Sequence, residues 1–325
     1  MRRFILRRLC WYVPLLFLSS FVVFVLVAGS GDPLANLRSQ PEVPAEIVER
    51  RARELGLDRP LLTRYGRWLG AAVQGDFGRR AVEETSVRTV LWQRLQVTLR
   101  MVAAALAVGV VLSVVVGALG AMRPYSTLDQ VVGGVGLVFL SLPAFWLAAL
   151  LKELVIWLQQ VSGRRILPTL NQSDPGMTGD LLHRWADYLS HLVLPTLTLS
   201  LLLVASWSRY VRASLIEESS RDYVRAARAR GAGPARVLYR HVLPNALVPF
   251  SSVVAVDFAA VFGGAVIVER AFNWQGMGQL LIEGVRDVDV NVVLAWLMVT
   301  ATLVVTLNLL ADLVAARLDP RVRLE

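Results

Sequence analysis

The chain has 325 residues, 55% of them hydrophobic, with a mean hydropathy of +0.53 and a formal net charge of +9. Soluble domains run at about 45–50% apolar, whereas here the apolar residues gather in runs of about twenty, the length that spans a hydrocarbon core of roughly 30 Å, which excludes a water-soluble globular domain. One cysteine, Cys10, excludes an intrachain disulfide, and His183, His191 and His241 are spread too widely along the sequence to suggest a metal cluster.

In chain order, Met1–Leu9 carries four arginines and no acid, and the apolar run Cys10–Ala28 follows. That run is too long for a signal peptide and lacks a small-x-small cleavage site, so it reads as a retained first transmembrane helix. Gly29–Gln96 is polar, with eleven arginines against nine acids. Val43–Leu55 and Leu61–Val73 are expected to be amphipathic helices, and Gly75–Arg80 a turn. The tract is too long for a simple connection and is expected to be a small external subdomain. Val97–Met122 is the second span. The third is expected over Leu128–Leu158, kinked at Pro143, because a proline removes a backbone hydrogen bond and clashes with the preceding turn. That proline serves either packing or a pathway lined by Pro143, Phe145 and Trp146. Gln159–Ser190 is an external loop with Trp185 and Tyr188 as interfacial anchors.

His191–Tyr210 is the fourth span. An Arg-rich, Ala-rich loop follows over 207–243, in which Ser219 or Ser220 is expected to cap a helix and Asp222 to occupy its positive first turn. Tyr223, Ala226, Ala227 and Arg230 are expected on one low face, with Arg221, Arg225 and Arg228 behind it. Gly231 suits the left-handed end of that helix, and Gly233-Pro234 restarts a second one. A solvated basic loop near anionic headgroups is the simplest use of such a segment; a small-residue face also suits close approach to another protein's groove. Ala246–Val268 is the fifth span, with Asp257 near its middle, where an acid is costly and is expected to face the bundle interior. Glu269–Asn291 is external, and Val292–Ala316 is the sixth span, with Asn308 and Asp312 near its end. Cytoplasmic segments so assigned carry a net +10 and external ones net zero, which places both termini in the cytoplasm.

No Gly-Lys-Ser/Thr phosphate loop and no catalytic constellation is visible, and the basic loop lacks the stacking aromatics of a nucleic-acid site. The string DYVRAARARG followed by VLYRHVLPNALVP, with Ala226-Ala227, Gly231 and Leu243-Pro244 in register, resembles the EAA loop of bacterial ABC importer permeases. It is similar to the peptide and nickel branch of that family, the B-type dipeptide and oligopeptide permeases. Arg225 stands in place of the motif's usual Glu and His241 in place of Ile. The segments ELGLDRPLLTRYGRWL, GDFGRR and NLLADLVAARLDPRVR extend the resemblance over most of the chain.

The resemblance implies an all-α, six-helix, type I importer permease fold with an external insert at 29–96 and a five-helix core over 97–325. It implies a non-catalytic subunit of a peptide uptake system in the bacterial cytoplasmic membrane. The loop would couple to ATPase subunits through Tyr223, Arg225, Ala226, Ala227, Arg228, Gly231 and Pro244, and Asp257 would belong to the path. The implied partners are a second permease, two ATP-binding subunits that hold the ATP and Mg, an external peptide-binding protein and membrane lipid. No cofactor or metal is expected on this chain, and no nucleic acid. Glutathione and nickel remain open as cargo. A self-contained channel or ion-coupled carrier, with Asp257 as a proton or ion site, is the rival from another class.

Overall fold

The computed structural model describes residues 2–39, 43–81, 83 and 85–318, with side chains at 10–35, 37–39, 43–81, 83, 85–258 and 260–310. The Asp312 side chain and the chain end beyond Leu318 lie outside the described residues. Helices dominate: α1 Arg2–Ser30, α2 Ala35–Arg38, α3 Ala45–Glu54, α4 Leu61–Val73, α5 Val87–Met122, α6 Thr127–Ser141, α7 Ala144–Ser162, α8 Leu181–Ser219, α9 Asp222–Ala229, α10 Pro234–Val237, α11 Leu243–Ala271, α12 Met277–Arg286 and α13 Val290–Leu318. Among the described residues the one extended pairing is an isolated bridge, Arg79 to Ser86. Among the described residues six helical segments, on α1, α5, α7, α8, the stretch entering α11, and α13, are long and apolar enough to cross a membrane.

The third span differs from expectation. It is two helices, α6 and α7, separated at Leu142 and Pro143, both extended with ψ of 127° and 144°. A residue before proline is pushed out of the helical region, so the helix ends and restarts instead of bending. Pro143 becomes the N-cap of α7, the segment long enough to span. The apolar runs also understate two helices, since α5 begins at Val87 and α8 covers Leu181–Ser219. Apolar run length marks what lies in hydrocarbon, while the backbone ladder continues into water where propensity and caps permit. Asp180 supplies such a cap, its Oδ1 accepting from the His183 N–H at 3.1 Å.

The chain forms two compact units. The first comprises residues 1–98 and 275–306, so the tract 29–96 shares a unit with α1, α12 and the start of α13. Phe24, Trp68, Val290 and Leu294 form its buried cluster, with Tyr65, Leu69, Phe77 and Met298 packed around it. Buried Arg51 donates to the Arg80 and Ala81 carbonyls, and the Ala81 N–H donates to Asp289 at 2.7 Å. The Gly75–Arg80 turn forms through Gly75 and Gly78 at φ of +83° and +81°, a backbone region glycine enters without steric cost.

The second unit comprises residues 99–274 and 307–325. Here α6, α7 and α11 pack on α8, and Trp207, Leu194, Leu215 and Phe262 are fully buried. A Cβ on Gly117 would lie 2.8 Å from the Ser208 carbonyl and 2.9 Å from Val211, so α5 and α8 pass at a distance only glycine allows. Lys152 donates to the Ala271 carbonyl at 2.9 Å.

Candidate coupling loop and buried acids

The basic loop lies within the second unit. Its first helix, α9, begins after Arg221, which offers no side-chain cap. Neither expected serine caps it: Ser219 ends α8 and bonds back to the Leu215 carbonyl, and Ser220 bonds to the Glu217 carbonyl. Asp222 does occupy the first turn and pairs with Arg225. Gly231 closes the helix at φ +82°, and Gly233 and Pro234 open α10.

The distribution of faces differs from the helical-wheel expectation at one alanine. Val224 and Ala227 are buried within their own chain, at 0% and 2% exposure, while Ala226, Arg225 and Arg228 are exposed. The wheel gave Val224 no inward role. Three residues before Ala227, it completes the short apolar stripe by which α9 sits on its own protein. The surface left open is Ala226 with Arg225, Arg228 and the rim of Tyr223.

Tyr223 is pinned by its hydroxyl. Its one O–H donates chiefly to Glu218 Oε1 (2.8 Å), with the His241 carbonyl also in reach (3.1 Å), and Asn245 Nδ2 donates to it (3.1 Å). Burial, and then Glu218, raise the phenol's pKa above its ordinary value, so it stays a donor. The loop returns to α11 through a π-helical turn, Leu238–Val242. Pro244 follows, and because it has no N–H it leaves the ladder one donor short where the helix widens. Ser214 Oγ then ties α8 to α11 through the Ala246 carbonyl at 3.0 Å.

Asp257 faces a neighbouring helix in the same unit. Its Oδ2 accepts from the Trp207 indole N–H at 2.6 Å, and Trp207 packs edge-on to Phe250 at 5.6 Å. The sequence offers no sign of this pairing, since the residues are fifty positions apart on α8 and α11. Phe145 and Trp146 lie on the first turn of α7, each 53% exposed, with ring centroids 6.4 Å apart.

Two further clusters were not legible from spacing. Asp129 is buried and receives Arg212 bidentately, Nε to Oδ1 and Nη2 to Oδ2, both at 2.6 Å. It also accepts from the Tyr125 N–H at 2.8 Å, while its own N–H donates to Ser126 Oγ, so Ser126 caps α6 and the Asp129 carboxylate holds the turn before it and braces the helix to α8. Gly120 leaves room for it: a Cβ there would sit 2.8 Å from Asp129 Oδ1.

Asp174 in the loop before α8 and Asp187 and His191 on α8 bring ligand-type atoms within 4.8 Å of one another. The sequence expectation of dispersed histidines missed this gathering. Arg165 already takes both Asp174 oxygens at 2.6 Å and holds that carboxyl's pKa below its usual range. The Asp174 N–H donates to Asp187 at 3.1 Å, so the cluster fastens the loop to α8.

Residues 109–324 match the family described as binding-protein-dependent transport system inner membrane component, and residues 1–84 match that family's N-terminal module. The chain is 38% identical over 324 residues to the oligopeptide transport system permease protein OppB of Mycobacterium tuberculosis strain H37Rv, covering 99% of each chain. It is 32% identical to the oligopeptide permease protein AppB of Bacillus subtilis strain 168, and 31% identical to the glutathione permease protein GsiC of Escherichia coli K12, again with 99% of both chains covered. Among solved structures, the inward-facing MetNI methionine ABC transporter superposes with a TM-score of 0.55 at 18% identity, over 71% of this chain and 96% of that one.

Proposed function

The chain belongs to the family of binding-protein-dependent transport system inner membrane components, and on that premise we propose that it forms half of the path of an ATP-driven peptide importer. It is a multi-pass, non-catalytic membrane permease of the type I importer fold. What is proposed beyond that is its cargo, its partners and its coupling surface. The observation that carries the peptide assignment is the 38% identity to an oligopeptide permease along 99% of the chain.

In this reading a second permease completes the path, two ATP-binding subunits holding ATP and Mg sit at the cytoplasmic face, and an external binding protein delivers peptide. Both termini and the loop 207–243 are cytoplasmic, and 29–96 is external. The groove of an ATP-binding subunit receives the open surface of α9, Ala226 flanked by Arg225 and Arg228. Tyr223, bonded to both α8 and α11, transmits movement of α9 into two membrane helices at once. Gly231 and Pro244 shape the return of the chain. Pro143, Phe145, Trp146 and Asp257 belong to the path, with Asp257 oriented by Trp207.

Inside-out membrane vesicles carrying the assembled complex test the reading. ATP-dependent movement of labelled oligopeptide, absent without the binding protein, is expected. Uptake driven by a proton gradient with no ATP requirement would transfer the chain to the carrier class and give Asp257 the ion site.

A further inference from the structure

Within the first unit lies a cavity of about 670 Å³, walled by α3, α4 and the segments 76–81 and 289–291. Arg53, Arg59, Arg64, Arg67 and Arg79 line it. Its carboxylates are already engaged. Glu54 pairs with Arg51, Asp76 accepts from the Gly78 N–H, and Asp289 accepts from Ala81 and Val292. The space is therefore rich in donors and poor in free acceptors.

Two groups in it lack a natural partner. Arg64 is half-buried with its guanidinium 5.8 Å from the centre of the Phe24 ring, and no carboxylate pairs with it among the described residues. Burial, with nothing to offset it, pulls the pKa of that guanidinium below its ordinary value. One helical turn on, Trp68 is 92% buried, its exposure being 8%, and its indole N–H has no acceptor among the described residues. Arg64, Arg67 and Trp68 share one face of α4 by their i, i+3, i+4 spacing. A buried donor left unsatisfied is destabilising, and a guanidinium beside a bare N–H asks for an anionic acceptor.

We propose that this cavity binds the phosphate of an anionic phospholipid headgroup, held by Arg64, Arg67 and the Trp68 N–H. The depth of the site selects a lipid. Helix α4 is fastened along the apolar stretch of α1, where the Tyr65 hydroxyl donates to the Phe17 carbonyl at 3.1 Å and shares a hydrogen bond with Ser20 Oγ at 2.8 Å. The Tyr65 ring meets Phe21 at 5.1 Å and Phe24 at 5.4 Å. Arg64, adjacent to Tyr65, is thereby held beside a membrane helix and over a phenylalanine six residues from its end. At about 1.5 Å per residue that is roughly 9 Å along α1 from its terminus, inside the apolar stretch Cys10–Ser30 that is long enough to span a membrane. A soluble acidic partner cannot follow the guanidinium there, whereas a headgroup is native to it. Cation–π contact with Phe24 lets the guanidinium keep its charge at this depth while its N–H groups face the cavity.

The full-length chain, purified with its partner subunits in mild detergent, is loaded with phosphatidylglycerol or phosphatidylcholine and read by native mass spectrometry and thermal unfolding. Wild type is expected to retain one phosphatidylglycerol in preference to phosphatidylcholine. Arg64→Gln lowers that occupancy by about tenfold, the loss of one charged hydrogen bond, and Arg64→Lys restores part of it. Trp68→Phe keeps the ring, removes the N–H and lowers occupancy by a smaller factor. If Arg64→Gln does not assemble, Arg67→Gln and Trp68→Phe carry the test. Unchanged phosphatidylglycerol retention in these variants overturns the proposal. So does equal stabilisation by inorganic phosphate, which would make the site a free-anion site. Loss of a soluble acidic partner from the Arg64→Gln complex with lipid retention intact would assign the cavity to that partner instead.

Discussion

At the scale of single residues, burial separates side chains that look alike in sequence. Ala226 and Ala227 are neighbours in one motif, yet the second lies against its own protein and the first is open. Ala227→Trp is therefore expected to overpack the seat of α9, at about 1–3 kcal/mol, and to lower the permease's own thermal midpoint. Ala226→Trp is expected to leave that midpoint unchanged while abolishing co-purification of the ATP-binding subunits and ATP-driven uptake. Retained co-purification in Ala226→Trp would place the docking surface elsewhere. Asp257 gives a second contrast, because Asn can still accept from the Trp207 N–H whereas Leu leaves that donor buried and unpaired. Asp257→Leu is expected to be less stable by about 1–3 kcal/mol, with Asp257→Asn close to wild type in a melting assay. Uptake of oppositely charged peptides by the Asn variant then shows whether the charge touches cargo. Indifference to peptide charge would reduce Asp257 to a structural acceptor.

At the scale of elements, close approach and ion pairing set how the helices of the second unit meet. Gly117→Ala puts a methyl 2.8 Å from the Ser208 carbonyl, and neither backbone can yield without moving α5 or α8. A loss of about 1–3 kcal/mol is expected, read as a lower unfolding temperature in detergent. The same substitution at Gly133, which has nothing within 4 Å, is the matched control and should be neutral. Arg212→Ala strips the bidentate partner from buried Asp129 and undoes the brace between α6 and α8, leaving the Ser126 cap in place. The double exchange Asp129→Arg with Arg212→Asp should recover part of the lost stability. If it recovers none, the pair's contribution lies in turn geometry and not in charge.

At the scale of the whole molecule, orientation in the membrane is the property on which every partner assignment rests. Single cysteines at Gln74 and Ser219, in a Cys10→Ser background, report it with an impermeant thiol reagent applied to intact cells. Gln74→Cys is expected to label and Ser219→Cys to remain protected. The reverse pattern would turn the molecule over and remove α9 from the ATP-binding subunits.

The sequence by itself determined the class of this protein and its punctuation. Runs of about twenty apolar residues require spanning helices, since hydrocarbon leaves the backbone no other partner for its polar groups. Gly231, Gly233 and Pro234 set the bounds of two loop helices, because each is chosen for a local backbone conformation that needs no distant contact. The helix over Leu61–Val73 was also readable residue for residue. The tertiary structure decided what periodicity cannot: that Pro143 breaks a span, that Val224 and Ala227 turn inward, and that Asp257 finds Trp207. It also decided that Asp129 finds Arg212, eighty-three positions away, and that Arg64 and Trp68 line one cavity without partners among the described residues. Each of these depends on which surfaces of distant helices meet, and the spacing of residues along one helix carries no information about its neighbour.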